Sequence, residues 1–394
     1  MPFPLYLLAL VVFAMGTSEF MLAGLLPDIA SDFDVSVGTA GTLTSAFAIG
    51  MIVGAPLMAA LARNWPGRTS LLGFVLVFSA AHVVGAVTTS FVVLFATRVV
   101  AAVANAGFLA VALTTAARLV PPSSKGRALA VLLSGTTVAT IAGVPGGSLL
   151  GTMFGWQATF WAVAVVCLPA ALGILRGIPT RPGQSDEADG PALRSEVAQL
   201  RSPRLILVML LGALVNAATF GSFTFLAPLV TDDAGMTRPW ISVVLVLFGA
   251  GSFAGVTLAG RLSDQRPGAV IAVGGPLLLI GWPALAVLAE QQIAFLALVF
   301  VQGALSFAVG STLITRVLYE ASGAPTMAGA YATAALNAGA AVGPLIAAAT
   351  LGTVGNRGPL WASGCLVLVA LLAALSFRDV LATARNSGGA PVTP

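Results

Sequence analysis

The sequence predicts an all-α integral membrane protein of twelve transmembrane helices in two six-helix, pseudo-symmetric halves. Three observations predict it. First, about twelve long apolar stretches separated by short polar connectors run through the chain, and each approaches the ~20 residues a helix needs to cross a hydrocarbon core of ~30 Å. With no water in that core, every backbone polar group must bond within its own segment, so each stretch is a helix. Second, of 394 residues 58% are hydrophobic and only 8% charged, with mean hydropathy +1.00, where soluble domains carry ~25% charged residues. Third, a single long polar stretch at 177–203 divides the helices six and six, and the two sides resemble each other.

The first helix, near 4–27, carries Gly16-Thr17-Ser18-Glu19-Phe20 and then Gly24-Leu25-Leu26-Pro27. Glu19 is the only carboxylate well inside a helix. An acid in an apolar cavity favours its neutral form and so can take up and release a proton during a cycle. Glu19 is therefore the proton-coupling candidate. The alternative is a structural carboxylate paired permanently with Arg98. The run is long enough to be a retained first helix, and no basic segment of a cleavable leader precedes it.

The second helix, near 38–60, contributes Phe47 and ends in Ala59-Ala-Leu61-Ala-Arg63-Asn-Trp-Pro66-Gly67. The third, near 70–88, holds His82, the only histidine. The fourth, near 91–117, holds Arg98 and Asn105. An intramembrane arginine costs about 3 kcal/mol on insertion scales and is a functional candidate by default; snorkelling to the outer surface is the bland alternative. Arg98 lies at nearly the depth of Glu19, so the two are candidates to pair. The fifth helix, near 127–150, ends in Gly143-Val144-Pro145-Gly146-Gly147-Ser148, and Gly155-Trp156 opens the sixth, near 156–176. Small residues and proline give a kinked, closely packed helix.

After the polar stretch 177–203, which has the makings of a short amphipathic helix near 191–200, the second six follow. Helices lie near 204–230 (Asn216, Phe220, Phe223, Phe225), 239–262, 268–289, 292–317 (Gln302), 324–350 (Tyr331, Asn337, Gly339, Gly343, Pro344) and 358–377. Tyr6, Phe47, Asn105, Asn216, Phe220, Phe223, Tyr331 and Asn337 are the candidates to line a central cavity, aromatic rings for stacking and amides for hydrogen bonds. The connector after the eighth helix reads Gly260-Arg261-Leu262-Ser263-Asp264-Gln265-Arg266. Its Asp264 and Arg266 suit a capping or latching role at one mouth of the bundle.

A shift of 201 residues (255 − 54) lays Gly54, Leu57, Leu61, Pro66 and Gly67 on Gly255, Leu258, Leu262, Pro267 and Gly268, and Pro27 on Pro228. Such a constant offset of half the chain reads as a duplication. It places Phe220 opposite Glu19, so coupling chemistry would be one-sided. The expected divisions are 1–176, a linker 177–203, and 204–394 with a short polar tail.

Basic residues fix the expected orientation. With the N-terminus in the cytoplasm, Arg63, Arg68, Arg118, Lys125, Arg127, Arg194, Arg201 and others fall inside, and only Arg238 and Arg357 fall outside. Both termini are then cytoplasmic in a cell inner or plasma membrane. The net charge of +4 reflects this bias and implies no nucleic acid. Cys167 and Cys365 both sit in apolar segments and read as free thiols. One histidine and two such cysteines offer no metal site, no phosphate-cradling loop is present, and no catalytic constellation has suitable spacing. No enzyme activity and no cofactor are expected.

The Gly260 to Asp264 connector, Arg98 in the fourth helix, and Gly143 to Gly147 in the fifth together resemble the motifs of the major facilitator superfamily, over essentially the whole chain. The first-half connector departs from that pattern, with Arg63 where the family has Asp and Ala59 where it has Gly. Within the superfamily, Thr17-Ser-Glu19-Phe20 through Pro27-Asp-Ile-Ala, with Gly143-Val-Pro145 and Gly155-Trp156, is similar to the twelve-helix drug:proton antiporters. The stretch from Met1 to Phe160 looks like their actinobacterial chloramphenicol-resistance exporters. The resemblance implies a monomeric, proton-coupled efflux transporter working by alternating access, with a small-molecule drug and protons as its partners in a lipid bilayer. It implies coupling at Glu19 and Arg98 and conformational roles for Gly143, Pro145, Gly146, Gly147, Gly260, Asp264 and Arg266. An exporter of sugars or nucleosides on the same fold, or a non-transporting membrane sensor, are the alternatives.

Overall fold

The computed structural model describes residues 1–61, 65–121, 124–178, 193–263, 267–324 and 327–377. Among them are twelve helices long and apolar enough to cross a membrane. In the first half these are α1 (Phe3–Gly24), α2 (Val37–Leu61), α3 (Gly67–Val87), α4 (Phe91–Arg118), α5 (Arg127–Phe154) and α6 (Trp156–Gly177). The second half has α7 (Pro203–Thr224), α8 (Pro239–Gly260), α9 (Gly268–Val287), α10 (Gln292–Glu320), α11 (Ala328–Val354) and α12 (Gly358–Ser376). Phe3 and Ser376 therefore lie at one end of the bundle, here the terminal end; the other is the loop end.

Each half has its own apolar core. One gathers residues from Leu5 to Ile178, the other residues from Leu205 to Ala370, with a few side chains crossing over. The duplication is legible in the packing. A Cβ added at Gly50 would strike Val99 and Ala102 of α4, and one at Gly251 would strike Phe300 of α10. Gly54 packs on Val103 and Gly255 on Ala304 in the same way. Both pairs of partners are related by the offset read from the sequence (300 − 99 = 201; 304 − 103 = 201). Without side chains at these glycines, backbones approach closely enough for dispersion to hold helices together in lipid, where apolar burial alone gives little.

The loop end repeats the theme with altered chemistry. Trp156 Nε1 donates to Asp32 at 2.7 Å, and Arg357 Nε donates to Asp233 at 2.8 Å. These pairs are also related by the same offset (233 − 32 = 201; 357 − 156 = 201). Arg357 further binds Glu290 at 2.6 Å. The hydrogen bond that Arg357 donates to Asp233, then that to Glu290, raise its pKa above the ordinary value. The turns into α6 and α12 both pass through a glycine at positive φ, Gly155 (φ 86) and Gly355 (φ 77), a conformation that costs a side-chain-bearing residue about 1 kcal/mol or more.

Contacts between the halves run from the loop end to the middle of the bundle. Arg238, just before α8, is ion-paired with Asp28 after α1. Gly41 of α2 accommodates the Phe225 ring, and Gly24 lies beside Leu245 of α8. Deeper in, Ser45 Oγ donates to Ala341 O at 2.7 Å, and a Cβ at Gly249 of α8 would collide with Thr140 O of α5. These contacts close the loop end.

Two helices change pitch where this closure occurs. α1 tightens to a 3-10 turn at Met21–Gly24, and α5 widens to a π turn at Ala139–Gly143 just before Pro145. A proline cannot donate to the ladder, and a π turn absorbs the misfit. The expected short helix of the linker is present as Leu193–Ala198. Its Glu196 is fully buried and accepts the Met327 backbone N–H at 2.9 Å, while Tyr331 Oη donates to Glu196 O at 2.9 Å. The linker helix is thereby fastened to the start of α11.

Candidate functional site

Arg98, the eighth residue of α4, is buried, 1% exposed. Its Nη1 donates to Ser18 Oγ at 2.8 Å and its Nη2 to Ser18 O at 2.7 Å. Ser18 sits in the last α-turn before the 3-10 segment of α1, where helix carbonyls start to lose their partners four residues on. The Arg98 guanidinium carbon also lies 4.7 Å from the centre of the Phe47 ring of α2, and the ring's negative face offsets part of the buried charge.

The hydrogen-bond directions in this cluster follow from one group. His82 Nδ1 lies 2.8 Å from Phe78 O, and a carbonyl only accepts, so Nδ1 carries the proton. In the neutral imidazole Nε2 is then an acceptor, and Ser18 Oγ, 2.7 Å away, donates to it. That leaves the Ser18 oxygen lone pairs facing Arg98. The order is guanidinium to serine to imidazole to backbone carbonyl, with the imidazole held between Phe78 and Phe160, at centroid distances of 4.3 and 5.6 Å. His82 is thus hydrogen-bonded at both ring nitrogens.

Glu19, one residue beyond Ser18, takes no part in this cluster. No Arg98 nitrogen lies within 4.0 Å of its carboxyl oxygens, although the two groups are close enough for their charges to interact. Direct pairing, one of the possibilities read from their matched depth, is not the arrangement present, because Ser18 occupies both terminal nitrogens. Glu19 instead borders a narrow crevice shared with Phe20, Ala23, Thr44, Phe220, Phe223 and Thr224.

A cavity of about 20 Å³, the room of a water molecule, adjoins it between the halves. Its walls are Phe20 of α1, Thr140 and Val144 of α5, Phe220 and Phe223 of α7, Leu245, Phe248, Gly249 and Ser252 of α8, and Phe307 of α10. Phe20, Phe220 and Phe223 border both cavities. The rings pack against one another: Phe20–Phe220 at 5.6 Å and Phe223–Phe248 at 4.8 Å.

Of the cavity candidates read from the sequence, Phe220 and Phe223 line both spaces. The others border neither. Phe47 lies under Arg98. Tyr6 is 52% exposed near the terminal end. Asn105 is buried in α4 with its Oδ1 unpartnered. Asn216 donates to Leu336 O at 2.7 Å and clamps α7 to α11. Asn337 bonds Thr333 O of its own helix at 3.0 Å. Tyr331 is engaged by the linker helix, and Phe225 is buried against Gly41. Gly143 meets Thr17 and Gly147 meets Thr159, while Pro145 is buried and Gly146 and Gly260 face open space. Arg63, Asp264 and Arg266 lie outside the described residues. Among those residues, no group of His, Cys, Asp and Glu could hold a metal ion.

Sequence reasoning missed Ser18, Thr44, Thr224, Phe20, Phe248 and Phe307. Phe248 was within reach, because it is the duplicate of Phe47 (248 − 47 = 201). Ser18 lay beside Glu19 in the motif already singled out, but only the helix rotation shows that it faces Arg98.

The family model of the Major Facilitator Superfamily matches residues 8–333 and 209–393. A chloramphenicol resistance protein of Streptomyces lividans is 76% identical over 385 residues, 98% of each chain. The inner membrane transport protein YdhP of Escherichia coli strain K12 is 31% identical, over 98% of this chain and 96% of its own. Among solved structures, a bacterial homologue of the human lysosomal transporter Spinster, inward-facing and unoccupied, matches with a TM-score of 0.77 at 18% identity, covering 99% and 98% of the two chains.

Proposed function

The chain belongs to the major facilitator superfamily, and from that premise we propose that it exports chloramphenicol and related phenicols in exchange for protons, by alternating access. The observation that carries this reading is the 76% identity, end to end, with a chloramphenicol resistance protein. The cavity's lining supports it. Chloramphenicol is uncharged and carries a nitrophenyl ring, and a lining of five phenylalanines suits an aromatic ring far better than a sugar, which needs many hydrogen-bonding groups.

Protons would enter through Glu19. It borders the cavity system, and its side chain makes no hydrogen bond within the protein. In the outward-open state Glu19 takes a proton as drug leaves; in the inward-open state it releases the proton as drug enters. Arg98, fixed on Ser18 nearby, supplies a constant positive charge that lets Glu19 ionise in an apolar setting. Exchanging a neutral drug for an inward proton draws on both the pH gradient and the membrane potential.

The halves 1–176 and 204–394 would rock about the central cavity. With the basic connectors on the cytoplasmic side, the terminal end would lie inside and the closed loop end outside. A monomer suffices for this cycle, and no chemical conversion of the drug is involved.

The test is chloramphenicol uptake into inverted membrane vesicles carrying the protein, with an imposed acid-inside gradient and a protonophore control. Gradient-dependent uptake that the protonophore collapses is expected. No uptake by folded protein would exclude the drug and move the search to sugars and nucleosides.

A further inference from the structure

The linker helix Leu193–Ala198 has two unlike faces. Arg194, Val197 and Ala198 are exposed, while Glu196 is fully buried and Gln199, just after it, is half-buried. A carboxylate taken out of water is costly unless hydrogen bonds and opposite charge hold it. Glu196 finds both at the start of α11. Its Oε2 accepts the Met327 N–H at 2.9 Å, a group that also bonds Ala324 O at 3.1 Å. Met327 holds the cap position of α11, and the helix has no side-chain cap from its own segment. A first turn leaves N–H groups unpartnered and carries the positive end of the helix dipole. The linker carboxylate thus caps α11 from outside. Two more contacts fix the arrangement. Tyr331 Oη donates back to Glu196 O at 2.9 Å, and Gln199 lies against Gly323, where a Cβ would come within 2.7 Å of the amide nitrogen.

The linker helix leads directly into α7, which begins at Pro203. α7 is in turn bound to α11: Asn216 Nδ2 donates to Leu336 O at 2.7 Å, and Gly339 and Gly343 let the α11 backbone approach Ala213 O and Ala217 O. Linker helix, α7 and α11 are therefore joined pairwise. α11 is also a helix through which the second half reaches the first. Ala341 accepts the Ser45 hydroxyl at 2.7 Å, and Gly38 of α2 lies beside Ala348.

We propose that Glu196 is a positioning residue for transport, a strap that makes the linker helix part of the second moving body and stays closed throughout the cycle. This rests on the reading of the protein as an alternating-access exporter. The second body then begins by Leu193 rather than at residue 204. The strap keeps the terminal end of α11 seated on α7, so that rocking of the second half reaches the α2 contact as motion of one rigid piece. Without it, the first turn of α11 loses its outside cap, and movement is taken up within the second half.

The experiment replaces the strap with a covalent one. Gln199→Cys and Gly323→Cys are introduced with Cys365→Ser, which removes the exposed native thiol and leaves the buried Cys167. A short thiol cross-linker then joins the new pair. Chloramphenicol uptake into inverted vesicles is measured before and after linking, with and without Glu196→Ala. The linked protein should transport at the unlinked rate. Glu196→Ala alone should lower turnover about tenfold with KM within about twofold, and linking should restore it. Glu196→Gln, which keeps an acceptor for the Met327 N–H, should fall between and serves if the alanine variant does not fold. Amide exchange at Met327–Tyr331 is followed in parallel and should quicken about tenfold in Glu196→Ala, equivalent to about 1.4 kcal/mol. Uptake halted by the link would overturn the proposal, because the helix would then have to undock. Full turnover in both Glu196 variants, or unchanged exchange, would overturn it as well. A wild type that takes up no chloramphenicol would overturn the drug reading alone, and the exchange rates would then decide the strap.

Discussion

Arg98 gives both of its terminal nitrogens to Ser18, one to the hydroxyl and one to the carbonyl, and none to the carboxyl of Glu19 one residue on. Among the described residues, the one arginine buried deep in the first half is thus anchored by a neutral residue. A buried charge needs hydrogen bonds more than it needs a counter-ion in contact, and Ser18 supplies two while His82 fixes the direction of the serine proton.

Ser18→Ala should therefore destabilise the protein by about 1–3 kcal/mol, the cost of leaving a buried donor unpaired, with a matching loss of transport. Unfolding of the purified protein in lipid or detergent measures the first, vesicle uptake the second. An unchanged stability would mean that the Ser18 carbonyl alone holds the guanidinium.

Glu19→Gln keeps the shape of the side chain and removes its ability to ionise. The variant should fold, bind drug and lose proton-driven efflux. Uptake into inverted vesicles with and without a gradient is the measurement, and full gradient-driven efflux by this variant would remove Glu19 from the coupling.

The Asp28–Arg238 pair joins the halves at the loop end. Exposed ion pairs contribute at most about 1 kcal/mol, enough to shift a near-balanced equilibrium several-fold. Asp28→Lys should raise the fraction of molecules open at the loop end, and adding Arg238→Asp should restore the original balance. Labelling rates of a cysteine placed within the loop-end closure report it; failure of the double exchange to restore the rate would show that the pair does not act as a latch.

Gly249 lets α8 reach the backbone of α5 across the two halves. Gly249→Val should penalise this closed packing and, because Gly249 also lines the larger cavity, add bulk there. The expected outcome is a folded protein with weakened drug binding and turnover reduced tenfold or more, seen as slowed uptake even at saturating drug. Normal turnover would place the moving contact elsewhere.

Twelve helices and the duplication were legible because length and hydropathy alone decide membrane crossing, and because a constant offset survives sequence drift. The centre of the protein was legible only in part. Glu19 and Arg98 stand out as charges in apolar runs, and both lie at the core of the site. What each touches depends on helix rotation, which the even hydrophobicity of a membrane helix does not reveal. For the same reason Asn216 and Asn337 looked like cavity groups, yet each amide is spent on a backbone carbonyl. Thr44 and Thr224 carried no signal at all, since threonine in a membrane helix usually bonds its own backbone and only the structure shows that these two do not. The latch residues Asp264 and Arg266 lie beyond what is described.

The corner made by Asp32 and Trp156 and its counterpart made by Asp233 and Arg357 respond differently to the medium. One is an acid bound to an uncharged indole; the other is an acid sharing a guanidinium with Glu290. Raising ionic strength shortens the reach of charge–charge attraction and leaves a neutral donor untouched. Concentrated salt at the loop end should thus slacken the α11–α12 turn and spare the α5–α6 turn. A transporter descended from two equal copies would then have one rim sensitive to osmotic surroundings and one indifferent to them, and amide exchange at the two turns, followed across a salt series, would tell them apart.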